Sequence, residues 1–267
     1  MLSIVLVAGL ASLASAHGTV SGIVADGVYF TGYNPSFQYQ SPAPITVGWK
    51  IPKDLDNGFV APAAYGTGDI ICHVDAGNAQ TAAPITAGRK VNLQWTPWPD
   101  SHKGAVIDYL ANCNGPCETV DKSTLKWFKI SEAGLINKSV TNGFWATDQL
   151  IANNMTWTVT IPSSIATGNY VLRHEIISLH SAGNAGGAQN YPQCLNLAVR
   201  SFGSDKPAGI PATSFYTAND PGIKFDLYST LTTYTIPGPT KYTGAVTVSQ
   251  TMPPKPTASS TGVYTVF

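Results

Sequence analysis

The sequence predicts an all-β fold, an antiparallel sandwich or barrel, from three observations. Short runs of residues alternate between apolar and polar side chains, which is typical of half-buried strands. Gly, Pro, Asn and Asp interrupt these runs, and helical periodicity of useful length is scarce. Strands do not alternate with helices, as a parallel α/β sheet would require. With 267 residues, the chain is long enough for one such domain.

The predicted strands follow one another along the chain at irregular intervals. They are TVSGIVA from residue 19, ITVGWK from 45, VNLQWT from 91, TWTVTIP from 156, NYVLRHEIISLH from 169 and CLNLAVR from 194. Between them, TDQLIANN from residue 147 predicts a short helical turn. The Gly-, Pro- and Asn-rich segments 52–69 and 201–223 exceed ordinary hairpin loops, so we expect a functional site to be built there.

The two ends of the chain differ in composition from the middle. Residues 1–16 are apolar and end in Ala14-Ser15-Ala16, a pattern typical of signal-peptide cleavage, so we expect a secreted protein that begins at His17. No other stretch approaches the roughly 20 apolar residues of a transmembrane helix. Residues 245–267 are rich in Ser, Thr and Pro, and they predict a disordered tail without a carbohydrate-binding module. The folded domain is therefore expected at 17–244.

The predicted surface carries little charge. Charged residues make up 11% of the chain and the formal net charge is zero, whereas about 25% is usual. Nucleic acids and acidic membranes are therefore excluded as partners, because both require clustered Lys and Arg. The composition suits uncharged, hydroxyl-rich ligands. Asn137 and Asn154 each begin an N-x-Ser/Thr sequence, which predicts glycosylation on the secretory route.

The four cysteines predict disulfides. An oxidising compartment permits three pairings among them. Cys113 and Cys117 are close enough in sequence to close a small turn, which leaves Cys72 to pair with Cys194 across a long loop. A zinc site is the alternative, but the spacing lacks the paired short loops that zinc prefers.

Among five histidines, His17 differs in kind. A free N-terminal residue offers an amine beside its imidazole, and both can bind the same metal. One further imidazole would complete three nitrogens in a plane, a set that suits copper. The best partner is His102, which follows a Trp-Pro-rich turn, although an ordinary surface histidine is equally consistent with that position.

A further group of candidate residues lies between 171 and 194. Strand alternation places His174 and His180 on one face, and Gln189 and Tyr191 together on one face. Beside a metal, a phenol and an amide would provide a weak axial ligand and a hydrogen-bond donor to a bound oxygen species. The alternative for Tyr191 is a buried tyrosine whose hydroxyl is satisfied within the protein.

Several of these motifs occur together in one known family. They are HGTV from residue 17, DIICH from 69, LQWTPWPDSHKG from 93, NYVLRHEIISLHSAGN from 169, GAQNYPQC from 187 and DPGIKFDLYSTLTTYTIPGP from 220. From His17 to about Gly244, the chain resembles the fungal lytic polysaccharide monooxygenases of auxiliary activity family 9. The resemblance implies an immunoglobulin-like antiparallel β-sandwich whose long loops form a flat face centred on one copper ion.

The resemblance also implies roles for individual residues. The amine and imidazole of His17 and the imidazole of His102 would be the nitrogen ligands, with the Tyr191 phenol in the axial position. His180 and Gln189 would position the bound oxygen species.

Further implied contacts lie outside the metal site. Tyr228 and Tyr39 would stack on the sugar chain, while His73 and His174 fall at positions that do not bind the metal. The two disulfides argued above are also those of the family.

The implied activity is oxidative cleavage of cellulose or a related β-1,4-glucan by a monomeric copper enzyme, with residues 17–244 as its catalytic domain. Hydroxylation would occur at C1 and/or C4, using an external electron donor and hydrogen peroxide or dioxygen. One alternative is a non-catalytic copper- or polysaccharide-binding protein, which would not need both His180 and Gln189. Another is a hydrolase, which needs two carboxyl groups about 5 to 9.5 Å apart. The acidic candidates form no recognisable pair: Asp100, Asp108, Glu118 and Glu175.

Overall fold

The computed structural model describes residues 17–260, so the predicted signal peptide and residues 261–267 lie outside the described part. The strands are β1 Val20–Ala25, β2 Val28–Thr31, β3 Ala83–Thr86, β4 Lys90–Trp95, β5 Gly104–Asn112, β6 Trp127–Ala133, β7 Leu135–Asn137, β8 Phe144–Trp145, β9 Thr156–Thr160, β10 Gly168–Ser178, β11 Gln189–Arg200 and β12 Ala258–Ser259. The helices are α1 Asp69–Cys72 and α2 Ala146–Ala152, with 3-10 turns at Pro35–Tyr39, Pro62–Ala64, Lys122–Thr124 and Ala212–Ser214.

Two five-stranded sheets pack face to face. The first sheet has the strand order β12-β2-β1-β4-β9, and the second has the order β3-β11-β10-β5-β6. Only two of these pairs are parallel, β12 with β2 and β3 with β11. Strands β7 and β8 form a separate hairpin. The predicted antiparallel sandwich is therefore confirmed, and a closed barrel is excluded.

The second sheet is covered on both faces. Between the sheets, side chains such as Leu93 and Leu172 form one apolar core. On the outer face of the second sheet, residues such as Ile177 pack against Ile71 and other residues of the long connections. Strands β10 and β11 are consequently buried along almost their whole length. Polar residues on these strands must therefore find their partners inside the protein.

The segment 45–50, predicted as a strand, does not join a regular ladder. It makes only isolated bridges, from Gly48 to Leu195 and from Lys50 to Gly77. Trp49 is buried and its Nε1 donates a hydrogen bond to Asn196 at 2.7 Å. The apolar residues of this segment anchor a loop against β11. Their alternation along the sequence therefore resembles that of a strand.

Residues 245–260 also differ from the expected disorder, because they lie along the first sheet. The side-chain amide of Gln250 bonds to the main-chain N–H and C=O of Thr158, at 2.9 and 2.8 Å, on the edge strand β9. At the opposite edge, β12 pairs with β2. Such contacts use main-chain and amide groups, so a polar composition does not reveal them. The tail thereby covers both edges of a sheet that would otherwise expose unpaired backbone groups.

A buried ion pair lies on the outer face of β10. Both terminal nitrogens of the Arg173 guanidinium donate to the Glu175 carboxylate, at 2.7 and 2.9 Å, and both side chains are fully buried. Glu175 also accepts hydrogen bonds from Asn190 and Tyr216. Arg173 donates to the main-chain oxygens of Ile70 and Ile71, which ties α1 to the sheet.

Replacing Glu175 by Gln is expected to lower the free energy of unfolding by about 3 to 5 kcal/mol. The amide keeps the shape of the carboxylate but leaves the Arg173 charge buried without a counterion. Chemical denaturation measures the difference. Asp75→Asn is the control, because the Lys53–Asp75 pair is largely exposed and its loss is expected to cost at most about 1 kcal/mol. Equal losses of unfolding free energy in the two variants would contradict the role of Glu175 as the counterion of Arg173.

Candidate functional site

Four rings named by the sequence analysis converge at one end of the sandwich. The His17 ring centroid lies 5.2 Å from that of His102 and 5.5 Å from that of Tyr191. The ring of His180 lies 3.9 Å from His102. These residues are far apart in sequence, so the fold alone brings them together. The structure therefore places the predicted ligand and positioning histidines in one cluster.

The loop that carries His102 is fixed by an aromatic and a glycine residue. Trp98 donates from Nε1 to the main-chain oxygen of His102 at 3.0 Å, and its ring packs edge-on against Tyr191 at 4.9 Å. At Gly104, where β5 begins, an added Cβ would lie 1.8 Å from the Ile177 oxygen. Only glycine permits β5 to run this close to β10. The loop is thus held against the end of β10, close to His180.

The segment 52–69 forms one wall of the site, as expected from its composition. Asn57 donates from its side chain to the main-chain oxygen of His17 at 3.3 Å. The Phe59 ring lies 6.2 Å from the rings of both His17 and Tyr191. The other long segment, 201–223, packs instead on the outer face of the second sheet, where the Tyr216 hydroxyl donates a hydrogen bond to Glu175.

The chemistry of His102 fits a metal ligand. The residue is 8% exposed, and its Nε2 is buried without a hydrogen-bond partner in the described part of the chain. Burial, aided by the charges of His180 and His17, lowers the pKa of His102 to about 4. The imidazole is therefore neutral near pH 7, and Nε2 can offer a lone pair to a metal.

The metal site proposed from the sequence needs only two histidine side chains, because the main-chain amine supplies the third nitrogen. Within residues 17–260, no three His, Cys, Asp or Glu side chains are grouped as an ordinary metal site would require. The His17 amine would supply this third nitrogen if His17 is the first residue of the mature chain.

Gln189 and Tyr191 begin β11 on one face, as strand alternation predicts. The Tyr191 hydroxyl donates to Gln189 Oε1 at 2.6 Å. Burial raises the pKa of Tyr191 far above its ordinary value, so the phenol stays protonated. In the described chain, Gln189 Nε2 has no protein acceptor, so its N–H groups are available to a ligand.

His174 is a structural residue, as expected. Its Nδ1 lies 2.6 Å from Asp108 Oδ1, and Trp95 Nε1 donates to its Nε2 at 2.9 Å. Both ring nitrogens are engaged and the ring is fully buried. His174 therefore has no nitrogen left for a ligand.

The predicted disulfides are present. Cys72 bonds to Cys194 with a Cα–Cα distance of 5.2 Å, and Cys113 bonds to Cys117 with a distance of 5.3 Å. The zinc alternative for these four residues is therefore wrong, because no thiolate remains to bind a metal.

The candidate sugar-stacking and glycosylation residues lie at the surface. Tyr39 and Tyr228 are 74% and 63% exposed, respectively. Tyr39 ends the 3-10 turn that is anchored to the site segment 52–69 by a hydrogen bond to Pro52. Asn137 and Asn154 are also exposed, as attachment of a glycan requires.

A buried pair beside the site was not identified from the sequence. His73 Nε2 lies 3.9 Å from Asp54 Oδ2, and the two residues are 1% and 3% exposed. His73 has φ 96° and ψ 171°, a backbone conformation that normally requires glycine. With His17 and Phe59, the pair lines a cavity of about 230 Å³. No local pattern signals this contact, because the partners come from different loops.

Burial shifts the pKa values of Asp54 and His73 in opposite directions. Burial raises the pKa of Asp54 to about 7 and lowers the pKa of His73 to about 4. Asp54 alone would therefore lose stability as pH rises from about 4 to 7, while His73 alone would lose it as pH falls from about 6.5 to 4. The two dependences offset each other in the native protein.

Replacing Asp54 by Asn is expected to uncover the histidine dependence. The unfolding free energy of this variant should rise between pH 4 and 6.5 more steeply than that of the native chain, by up to about 3 kcal/mol. Denaturation of the copper-free proteins at several pH values measures this slope. The exposed Asp75→Asn is the control. Parallel curves for native and Asp54→Asn proteins would show that the pH dependence of Asp54 does not offset that of His73.

Comparisons with a family model and with known proteins agree on one family. The family model of Auxiliary Activity family 9 (formerly GH61) matches residues 17–235. "AA9 family lytic polysaccharide monooxygenase I" of Botryotinia fuckeliana is 72% identical over 258 residues, 96% of each chain. "AA9 family lytic polysaccharide monooxygenase B" of Aspergillus tamarii is 57% identical over 239 residues, which are 90% of this chain but 64% of that longer protein.

Solved structures agree in fold. The extended catalytic domain of H. jecorina LPMO9A is 50% identical, with a TM-score of 0.88, covering 92% of this chain and 99% of that one. Cel61B from Hypocrea jecorina is 43% identical with a TM-score of 0.80, covering 85% and 100%. None of the helices between residues 17 and 260 has the length and apolarity needed to cross a membrane.

Proposed function

Since the chain belongs to Auxiliary Activity family 9 and is a lytic polysaccharide monooxygenase, we propose that it cleaves cellulose or a related β-1,4-glucan at one bound copper ion. The observation that carries the proposal is the convergence of the His17, His102 and Tyr191 rings, together with the buried Nε2 of His102, which has no hydrogen-bond partner within residues 17–260. We also propose that the chain is secreted and loses residues 1–16. The start of the family match at residue 17 supports this.

The amine and imidazole of His17 and the imidazole of His102 would hold the copper ion, with the Tyr191 phenol oxygen as a further, weaker donor. When bound, copper supplies the redox chemistry that couples an external electron donor to dioxygen or hydrogen peroxide. The protein keeps His102 neutral through burial and holds its loop through Trp98. It keeps Tyr191 protonated, so the phenol oxygen would remain a weak donor to a bound metal.

The proposed role of Gln189 and His180 is to orient the dioxygen or hydrogen peroxide substrate by hydrogen bonds. Because Tyr191 already donates to the Gln189 oxygen, the amide is oriented with its N–H groups available. His180 lies against His102. Copper binding alone would not demand either residue, which favours an enzyme over a non-catalytic copper-binding protein.

Replacing Gln189 by Ala is expected to leave copper affinity nearly unchanged and to lower the yield of oxidised sugars about ten- to hundredfold. The expected loss is that of one positioned hydrogen-bond donor. Calorimetric copper titration and product quantification on the same preparation separate the two effects. A yield equal to that of the native enzyme would remove Gln189 from the mechanism.

The proposed substrate follows from the surface. Tyr39 and Tyr228 expose aromatic rings of the kind that stack on sugar faces, and the low charge suits a neutral polysaccharide. Two of the four acidic candidates for a hydrolase are engaged inside the protein: Asp108 lies against His174, and Glu175 binds Arg173. Oxidative cleavage needs no such carboxyl pair.

Mass spectrometry of soluble products tests the proposed function. The processed, copper-loaded protein is incubated with amorphous cellulose, with and without ascorbate, and with xylan and chitin in parallel. We expect reductant-dependent oligosaccharides with aldonic-acid masses for C1 oxidation, gemdiol masses for C4 oxidation, or both, from cellulose. Oxidised products from chitin or xylan, with none from cellulose, would overturn the proposed substrate. Unmodified oligosaccharides without reductant would overturn the proposed reaction.

A further inference from the structure

Each of two neighbouring histidines has a serine hydroxyl within hydrogen-bond distance of its Nδ1 atom. Ser101 Oγ lies 3.0 Å from His102 Nδ1, and Ser178 Oγ lies 2.8 Å from His180 Nδ1. The two serines differ in environment, because Ser101 is exposed to solvent whereas Ser178 is fully buried. This difference decides which partner donates the hydrogen.

The buried Ser178 hydroxyl must donate to His180. A buried O–H group needs an acceptor, and within the described chain the only partner of Ser178 Oγ is His180 Nδ1. Accepting from Nδ1 would leave the hydroxyl hydrogen unpaired in the interior, at a cost of about 1 to 3 kcal/mol. With Nδ1 as acceptor, the neutral imidazole carries its proton on Nε2.

The exposed Ser101 hydroxyl has no such constraint. It can give its own hydrogen to water and accept the Nδ1–H of His102. That arrangement leaves a lone pair on His102 Nε2, the buried atom that has no partner in the described protein. In this arrangement the two rings, 3.9 Å apart, would carry opposite tautomers, one with a lone pair and the other with an N–H at Nε2.

We propose that Ser178 is a positioning residue that fixes His180 as the Nε2–H tautomer. His180 then offers the site a hydrogen-bond donor rather than a competing lone pair for the metal. Ser178 is well placed for this role because it pairs with Gly104 of β5 on one side and with Gln189 of β11 on the other. Only the use of the His180 N–H as a donor at the copper site rests on the proposed function. The tautomer itself is a property of the metal-free protein.

Long-range ¹H–¹⁵N NMR of the histidine rings tests the proposal. Spectra are recorded near neutral pH on the processed full chain, without metal and with reduced, diamagnetic copper. We expect the His180 proton on Nε2 and the His102 proton on Nδ1. In Ser178→Ala, His180 should lose the single defined tautomer, and Ser178→Thr should restore it. Ser101→Ala is the matched control, since water can replace an exposed hydroxyl and His102 should not change.

Activity gives a second, separable readout. Ser178→Ala should lower the yield of oxidised sugar about tenfold with copper affinity unchanged, and Ser178→Thr should recover most of it. Thermal melting establishes that each variant is folded. A native His180 with its proton on Nδ1, or an unchanged tautomer in folded Ser178→Ala, would overturn the proposal. If the native protein yields no oxidised sugar, the proposed function fails, while the NMR result still decides the role of Ser178.

Discussion

A variant in which Ala replaces His102 is expected to bind copper more than about a hundredfold more weakly and to yield no detectable oxidised sugar. The side chain supplies one of three proposed nitrogen donors, and even residues outside the ligand set are commonly worth 10- to 100-fold in affinity. Burial keeps the native imidazole neutral and ready to bind, so Ala removes a donor that needs no deprotonation. Isothermal titration with Cu(II) measures the change.

The adjacent Lys103 offers a matched control for the His102 experiment. Its ammonium group binds Asp148 at 2.6 Å. Lys103→Ala alters the same loop without removing a proposed ligand, so its copper affinity should stay close to that of the native protein. Equal losses in both variants would mean that loop structure, not ligation, determines the affinity. Unchanged copper affinity in His102→Ala would exclude the residue as a ligand.

A chain whose His17 amine is acetylated is expected to lose copper affinity to a similar degree. Acetylation converts the amine into an amide nitrogen, which has no basic lone pair and has no neighbouring amine to anchor copper and promote loss of its proton. The imidazole and the rest of the fold are unchanged. The proposed chelate is therefore broken without altering any side chain.

The experiment compares the two chains prepared with and without the acetyl group. Copper titration should separate them, while melting temperatures of the metal-free proteins should agree. Equal copper affinity would contradict the use of the terminal amine. A lower melting temperature of the metal-free acetylated chain would instead point to a structural role of the N-terminus.

Local sequence patterns predicted much of the β-sandwich because strand alternation reports burial directly. It failed at 45–50, where the burial of Trp49 serves a loop anchored on Asn196. Composition likewise does not reveal the contacts beyond residue 244, where Gln250 and β12 bind to main-chain groups of the first sheet. Alternation identifies which residues are buried, but not what covers them.

The site was predictable in part for a different reason. His17 and His102 stand in motifs that resemble a known family, and the structure brings them together. The contact between Ser178 and His180 and the pair of Asp54 with His73 carry no such signal. The first depends on where β10 ends, and the second on two loops meeting, so both require the folded chain.

Electron paramagnetic resonance of the processed, Cu(II)-loaded protein tests the proposed copper site most directly. Hyperfine couplings count the nitrogens bound to copper and distinguish imidazole from amine. We expect three nitrogens, two from imidazoles and one from the amine of His17, with one imidazole lost in His102→Ala. A spectrum without an amine nitrogen, or one that His102→Ala leaves unchanged, would contradict the assignment of copper to this site.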